Sequence, residues 1–343
     1  MYIDNKQLKK YISFWLLAMF LIVSIMIIVG GLTRLTDSGL SITEWQLFSG
    51  ILPPLNTSQW NEYFDLYKKI PEYKLQNYSM SLNEFKVIFW WEFLHRFLGR
   101  LIGIFFLLPL IFFSLKLGFS KTKKLFTIFF LICLQGFIGW YMVSSGLIDR
   151  VDVSHYRLSL HLVLAFIILS LIFWNYLGYK KIKVFGEKMN SLLPIIFLLL
   201  IFLQISIGAF VSGLDAGKIY NSWPLMGSSY FPDDASIINL LNLSAFNEPS
   251  LVQFIHRNLA YFIFFFYVLI LINVYKKKLS VFYKSIITVG LLLFLQILLG
   301  VLTLLSGVQI FIASMHQISS IFLVSSSIYL VYINSNINLQ PSN

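Results

Sequence analysis

Five histidines are spread over the 343 residues, and four of them share an unusual setting. His95 sits in "WEFLHRFLGR", His161 in "RLSLHLVLAF", His256 in "VQFIHRNLAY" and His316 in "IASMHQISSI". Each lies at the start of a long apolar run, where an ionisable side chain is costly and is kept for a reason. Imidazole has two common uses in such a place, moving protons and ligating metal. A proton relay needs carboxylates beside it, and Glu92 is the only acid within these runs. Bare zinc or non-haem iron asks for three or more ligands, with thiolates or carboxylates among them. Cys133 is the only cysteine, so a thiolate cluster and an intrachain disulfide are both excluded. Two imidazoles offered from separate helices suit an iron macrocycle that takes one ligand on each face, which is bis-histidine haem. The competing expectation is that each histidine merely hydrogen-bonds a neighbouring helix.

Neighbouring residues extend the same reading. Arg96 and Arg257 each follow a histidine, and Arg100 lies one turn beyond Arg96. Guanidinium groups there are matched to the two propionates of a haem, or else they reach to lipid headgroups. Glu92 stands one helical turn before His95, while its counterpart before His256 is Gln253. An acid beside one histidine pair and an amide beside the other suggests that only the first pair performs acid–base or cation-stabilising chemistry. The plainer alternative is an ion pair between Glu92 and Arg96. His155, in "DRVDVSHYR", has no counterpart in the second half and is read as a loop histidine.

The elements that must position these groups are membrane helices. Of the residues, 58% are hydrophobic and 12% charged, about half the charge of a soluble domain. Apolar runs of span length recur throughout, and lipid-exposed backbone must bond within its own segment, so the chain is expected to be an all-α membrane protein. Eight spans are expected, at about 12–32, 90–114, 125–144, 158–178, 192–212, 254–274, 284–304 and 311–333. With the N-terminus inside, fifteen of the 26 basic residues fall in inward segments beside only Asp4 and Glu187. That asymmetry fixes orientation, with both termini cytoplasmic, and accounts for the net charge of +11 without a nucleic-acid partner. All four histidines then lie near the outer ends of even-numbered spans, at one depth, which favours ligands over scattered helix contacts. With about ten residues ahead of the first span, no cleavable leader is expected, and a bacterial plasma (inner) membrane is the expected location.

The chain also repeats itself. "GGLTRLTDSGLSITEWQLFSG" from Gly30 matches "GAFVSGLDAGKIYNSWPLMG" from Gly208, pairing Asp37 with Asp215, Trp45 with Trp223 and Leu47 with Leu225 at an offset of 178. "EFLHR" matches "QFIHR" and "LQGFIGWYMVSSG" matches "LQILLGVLTLLSG" at an offset of 161. "SLH", ending at His161, meets "SMH", ending at His316. The expectation is two pseudo-symmetric four-helix bundles, residues 1–180 and 181–343, related by an axis along the membrane normal. The Gly- and Trp-containing loops are expected to cover the outer edge of each site or to act as ordinary anchored loops. Residues 56–86 read as an amphipathic outer insertion without a legible role, and "NSNINLQPSN" as a disordered tail.

Together, these motifs resemble haem A synthase, in its cysteine-poor branch shared by some bacteria and mitochondria. The resemblance covers about Gly30 to Val324 and rests on "EFLHR", "SLH", "FIHR", "SMH" and the two loops. It implies oxidation of the C8 methyl group of haem O to a formyl group by two successive hydroxylations, giving haem A for terminal oxidases. It implies haem b as cofactor on His256 and His316, with Arg257 nearby, and haem O as substrate on His95 and His161, with Arg96 and Arg100. It also assigns Glu92 as the essential acid and suggests contact with haem O synthase. The chain lacks the cysteine pair of the other branch, so a disulfide relay is excluded. A homo-oligomer is left open. Two further readings stand beside this one: a dihaem b-type electron carrier, such as a quinol-oxidising cytochrome, and a non-enzymatic haem-binding or transport protein.

Overall fold

Helix formation follows directly from the apolar runs, since a backbone in lipid has no water to bond and must close its own hydrogen bonds. A computed structural model describes residues 5–45, 49–148, 150–182 and 184–338. Among the described residues, eight helices are long and apolar enough to span a membrane. The ten α-helices are α1 (Asn5–Leu35), α2 (Thr57–Tyr67), α3 (Pro71–Leu75), α4 (Leu82–Leu117), α5 (Phe119–Gly146), α6 (His155–Lys180), α7 (Leu192–Gly213), α8 (Pro249–Lys276), α9 (Tyr283–Leu305) and α10 (Ile310–Asn336). All but the short α2 and α3 coincide with the expected spans, each longer than the apolar run alone. The protein is thus an all-α, multi-pass membrane protein.

The chain divides into two compact units. One comprises residues 21–165, the other residues 1–20 with 166–343, so the division falls within α1 and α6.

In the first unit α4 packs on α5, and α1 meets α4 where the Thr33 hydroxyl lies 3.4 Å from the Trp91 carbonyl. α4 is about 54 Å long at 1.5 Å per residue. Its start is fixed by a capping box, in which Ser81 and Glu84 each bond the other's backbone N–H. The outer insertion is ordered by aromatic packing. Tyr67 and Phe85 are fully buried with ring centroids 5.1 Å apart, and the Phe64 ring lies tilted against Phe85 at 5.0 Å. Glu72, in α3, is carried inward with them and is buried.

In the second unit α7, α8, α9 and α10 form a ring of neighbours, with α7 touching both α8 and α10 and α9 touching both α8 and α10. The segment read as a disordered tail is ordered through Asn338. Asn334 is buried and bonds the backbone of Met189, accepting from its N–H at 3.0 Å, and Ile337–Asn338 pairs in parallel with Val184–Phe185. A long-range hydrogen bond and a two-residue strand leave no periodicity, so composition alone reads this segment as loose. Residues 339–343 and Leu47 lie outside the described residues.

Candidate haem site

Each of the four histidines is seated against a glycine. A Cβ placed on Gly30 would stand 2.9 Å from Cε1 of His95, and one on Gly139 would stand 2.9 Å from Cε1 of His161. In the second unit the same construction gives 3.1 Å from Gly208 to His256 and 3.0 Å from Gly300 to His316. Contacts this short exclude any larger residue without displacing the ring. The seats lie on α1, α5, α7 and α9, and the histidines on α4, α6, α8 and α10. The space that a side chain would need at these four glycines is taken by imidazole.

In the first unit the rings of His95 and His161 face each other with centroids 6.4 Å apart and planes at 51°. An imidazole–metal bond is about 2 Å, so this separation lets both rings reach one iron from opposite sides. Nδ1 of His95, His161 and His256 is buried with no hydrogen-bond partner among the described residues. In His316, Nδ1 lies 3.0 Å from the backbone carbonyl of Gln296, an arrangement that fixes tautomer and ring direction. Paired, glycine-backed imidazoles therefore fit haem ligation. Among the described residues no group of three His, Cys, Asp or Glu side chains is placed to hold a bare metal ion.

Glu92 is buried, and both its oxygens are engaged. Oε2 accepts from the Ser41 hydroxyl and the Ile42 N–H, each at 2.7 Å, and Oε1 accepts from Arg96 at 2.6 and 3.0 Å. Arg96 also donates to the carbonyls of Ile42 and Glu44, and its guanidinium lies 5.3 Å from the Trp45 ring. The Glu92–Arg96 ion pair is thus real, and it ties α4 to the loop that follows α1.

Gln253 occupies the matching place with inverted polarity. Its amide nitrogen donates to the carbonyls of Ala216 and Tyr220, and its oxygen accepts from Arg257 at 3.0 Å. One loop presents donors and needs an acceptor; the other presents carbonyls and needs a donor. Arg257 donates further to Tyr220 and Leu225, while its buried Nε has no partner. Arg100 and Arg96 line one cleft with Ile42, Glu44, Tyr63 and Phe93. The loop tryptophans serve these latches: Trp45 lies against Arg96, and Trp223 donates to the Tyr261 hydroxyl at 2.8 Å. Asp37 and Asp215, paired by the repeat, both adopt left-handed backbone, at φ 47° and 51°.

His155 differs from its expected placement. It opens α6, is buried and its ring lies tilted against that of Tyr156, with centroids 4.3 Å apart. Sequence reasoning missed Ser41 and Ile42 as the partners of Glu92, because their approach is made by a loop 50 residues away.

A family model described as "Cytochrome oxidase assembly protein" matches residues 13–328. A protein named "Heme A synthase" from Pelagibacter ubique is 53% identical over 340 residues, covering 98% of this chain and all of that protein. The chain belongs to the haem A synthase family. Further relatives of the same name are 43% identical in Rickettsia bellii and 41% identical in Flavobacterium psychrophilum, each over 94% of this chain and 98% of the relative. Among haem A synthase family residues here, the Glu92–Arg96–loop latch and the glycine-seated histidines are the features that geometry adds to the motifs.

Proposed function

We propose that this chain oxidises the C8 methyl group of haem O to a formyl group, by two successive hydroxylations and loss of water from the resulting diol, giving haem A. Residues 1–180 form the substrate half and residues 181–343 the cofactor half. His95 and His161 hold the substrate, with Arg96 and Arg100 at the propionate edge. His256 and His316 hold haem b, with Arg257 beside them. When bound, haem b would supply a redox-active iron held by His256 and His316, a one-electron relay to an external acceptor.

The observation that carries the reading is the facing pair His95 and His161, 6.4 Å apart, with an acid one turn away in this half and an amide in the other. Both side-chain oxygens of Glu92 are fixed in place by Ser41, Ile42 and Arg96. An anion whose donors are already in place stabilises positive charge developing nearby without further reorganisation. This favours an electrostatic role over one in which Glu92 swings to carry a proton. The expected setting is a bacterial plasma membrane with the sites toward the periplasmic face and both termini inside. Substrate is expected to arrive from haem O synthase.

The test is pigment extraction from the purified full-length protein, before and after incubation with haem O under oxidising turnover. Haem A should appear and depend on Glu92. Unchanged haem O beside two equivalents of haem b would identify a dihaem carrier instead.

A further inference from the structure

The glycine seats share a second feature. Four residues before each lies a side chain on the same helix face: Gln135 before Gly139, Gln204 before Gly208, Gln296 before Gly300, and Met26 before Gly30. Three seats carry glutamine and one carries methionine.

The glutamines all engage their histidine. Gln135 Nε2 donates to the backbone carbonyl of His161 at 3.0 Å, and Gln204 Nε2 donates to that of His256 at 3.0 Å. The Gln204 amide also lies 3.4 Å from Nε2 of His256. Gln296 Nε2 lies 3.3 and 3.4 Å from the two ring nitrogens of His316, and Ser319, one turn beyond that histidine, donates to its Oε1. Gln135 and Gln204 keep a buried Oε1 without a partner, and His161 and His256 keep a buried Nδ1 without one, so each pair holds both ends of a further link.

Met26 can do none of this. Its thioether has no N–H to donate, and its methyl instead reaches along α4, to 3.5 Å from where a Cβ on Gly99 would stand. Among the described residues, Nδ1 of His95 has no hydrogen-bond partner and its ring rests on Gly30.

We propose that Gln135, Gln204 and Gln296 are positioning residues for three of the four axial histidines, and that Met26 leaves His95 as the loosely held ligand. This rests on the assignment of haem O to the first half. It gives a physical reason for the division: glutamine ties His161 to the neighbouring helix at the backbone, His256 at backbone and ring and His316 at the ring, whereas no such tie to His95 is found among the described residues. A substrate must enter and leave, and a ligand without an orienting partner exchanges more readily. A net hydrogen bond changes an equilibrium by up to about tenfold.

The experiment is carbon monoxide binding to the reduced, haem-loaded full-length protein, read optically site by site. Carbon monoxide takes the place of whichever axial histidine dissociates. In the wild type the substrate-half haem should bind it faster than the cofactor haem. Met26→Gln should slow that reaction by up to about tenfold. Gln135→Met should speed it, and Gln204→Met should open the cofactor haem to carbon monoxide more than Gln296→Met does, since the backbone carbonyl of residue 296 still holds Nδ1 of His316. Because both directions are tested, failure of one variant to fold leaves the others decisive. Unchanged carbon monoxide rates in folded variants, with altered thermal stability only, would assign these residues to helix packing and overturn the proposal. Absence of haem from the first half would overturn it as well. If the ranking holds but haem O is never converted, the catalytic reading falls and this one stands.

Discussion

At the scale of single residues, the candidate site was legible because the informative types are rare. Four histidines in apolar runs, and one acid matched in the repeat by one amide, can be read from the letters. Their supports were not legible, because glycine and glutamine in a membrane helix have many uses and only distance assigns them. Two predictions belong here. Glu92→Gln keeps an acceptor for Arg96 but sets an amide N–H against the Ile42 N–H and the Ser41 hydroxyl, which now supply the donors. Haem content should survive while conversion of haem O falls on the order of a hundredfold, the cost typical of losing one preorganised charge contact. Full conversion in pigment extracts would remove Glu92 from the mechanism. Gly139→Ala places a Cβ 2.9 Å from the His161 ring, which must move, so the low-spin bis-histidine spectrum of the first half should be lost. Gly103→Ala is the control, since nothing lies within 4 Å of a Cβ there and its spectrum should be unchanged.

At the scale of elements, the spans were legible because lipid imposes length and apolarity together. The insertion that forms α2 and α3 was legible only as amphipathic. Its order comes from Phe64, Tyr67 and Phe85 packing across different helices, which no local period encodes. That packing carries Glu72 into the interior, where burial, followed by the charges of Glu92 and Asp152, pushes its carboxyl up from 4.5 to about 8. Burial also pushes the neighbouring Tyr67 hydroxyl up, with the Glu72 charge adding to it. The sign is definite. Between about 4.5 and 8 the folded insertion binds a proton that the unfolded one releases, so its stability should fall as pH rises through that window. Glu72→Gln removes the titration and should make the α2–α3 segment the more stable form at pH 8, with little difference at pH 5. Hydrogen exchange of residues 57–75, corrected for the intrinsic rate at each pH, measures this. A wild-type segment equally protected at both pH values would show that Glu72 stays charged.

At the scale of the whole molecule, orientation rests on charges that touch no site. Lysines crowd the connections after the even-numbered spans, as in "YKKIK" from Tyr179 and "YKKKLS" from Tyr275, while Asp233 and Asp234 sit between α7 and α8. Asp233 is held below its usual range by the Ser228 backbone N–H, so it is a firm anion in that loop. Lysine-rich connections stay on the cytoplasmic side, because moving them across the membrane is opposed by the insertion machinery and the potential. The repeat makes the outcome consequential. The repeat predicts an even number of spans in each half, and on that expectation one orientation places both histidine pairs toward the same face. The lone Cys133 makes the test clean, since Cys133→Ser gives a background free of thiols. In spheroplasts, a membrane-impermeant maleimide should label Asp234→Cys and leave Lys277→Cys untouched until the membrane is permeabilised. The reverse pattern would put both haem sites at the cytoplasmic face, where the Glu92 and Gln253 latches would close against the cell interior rather than the periplasm.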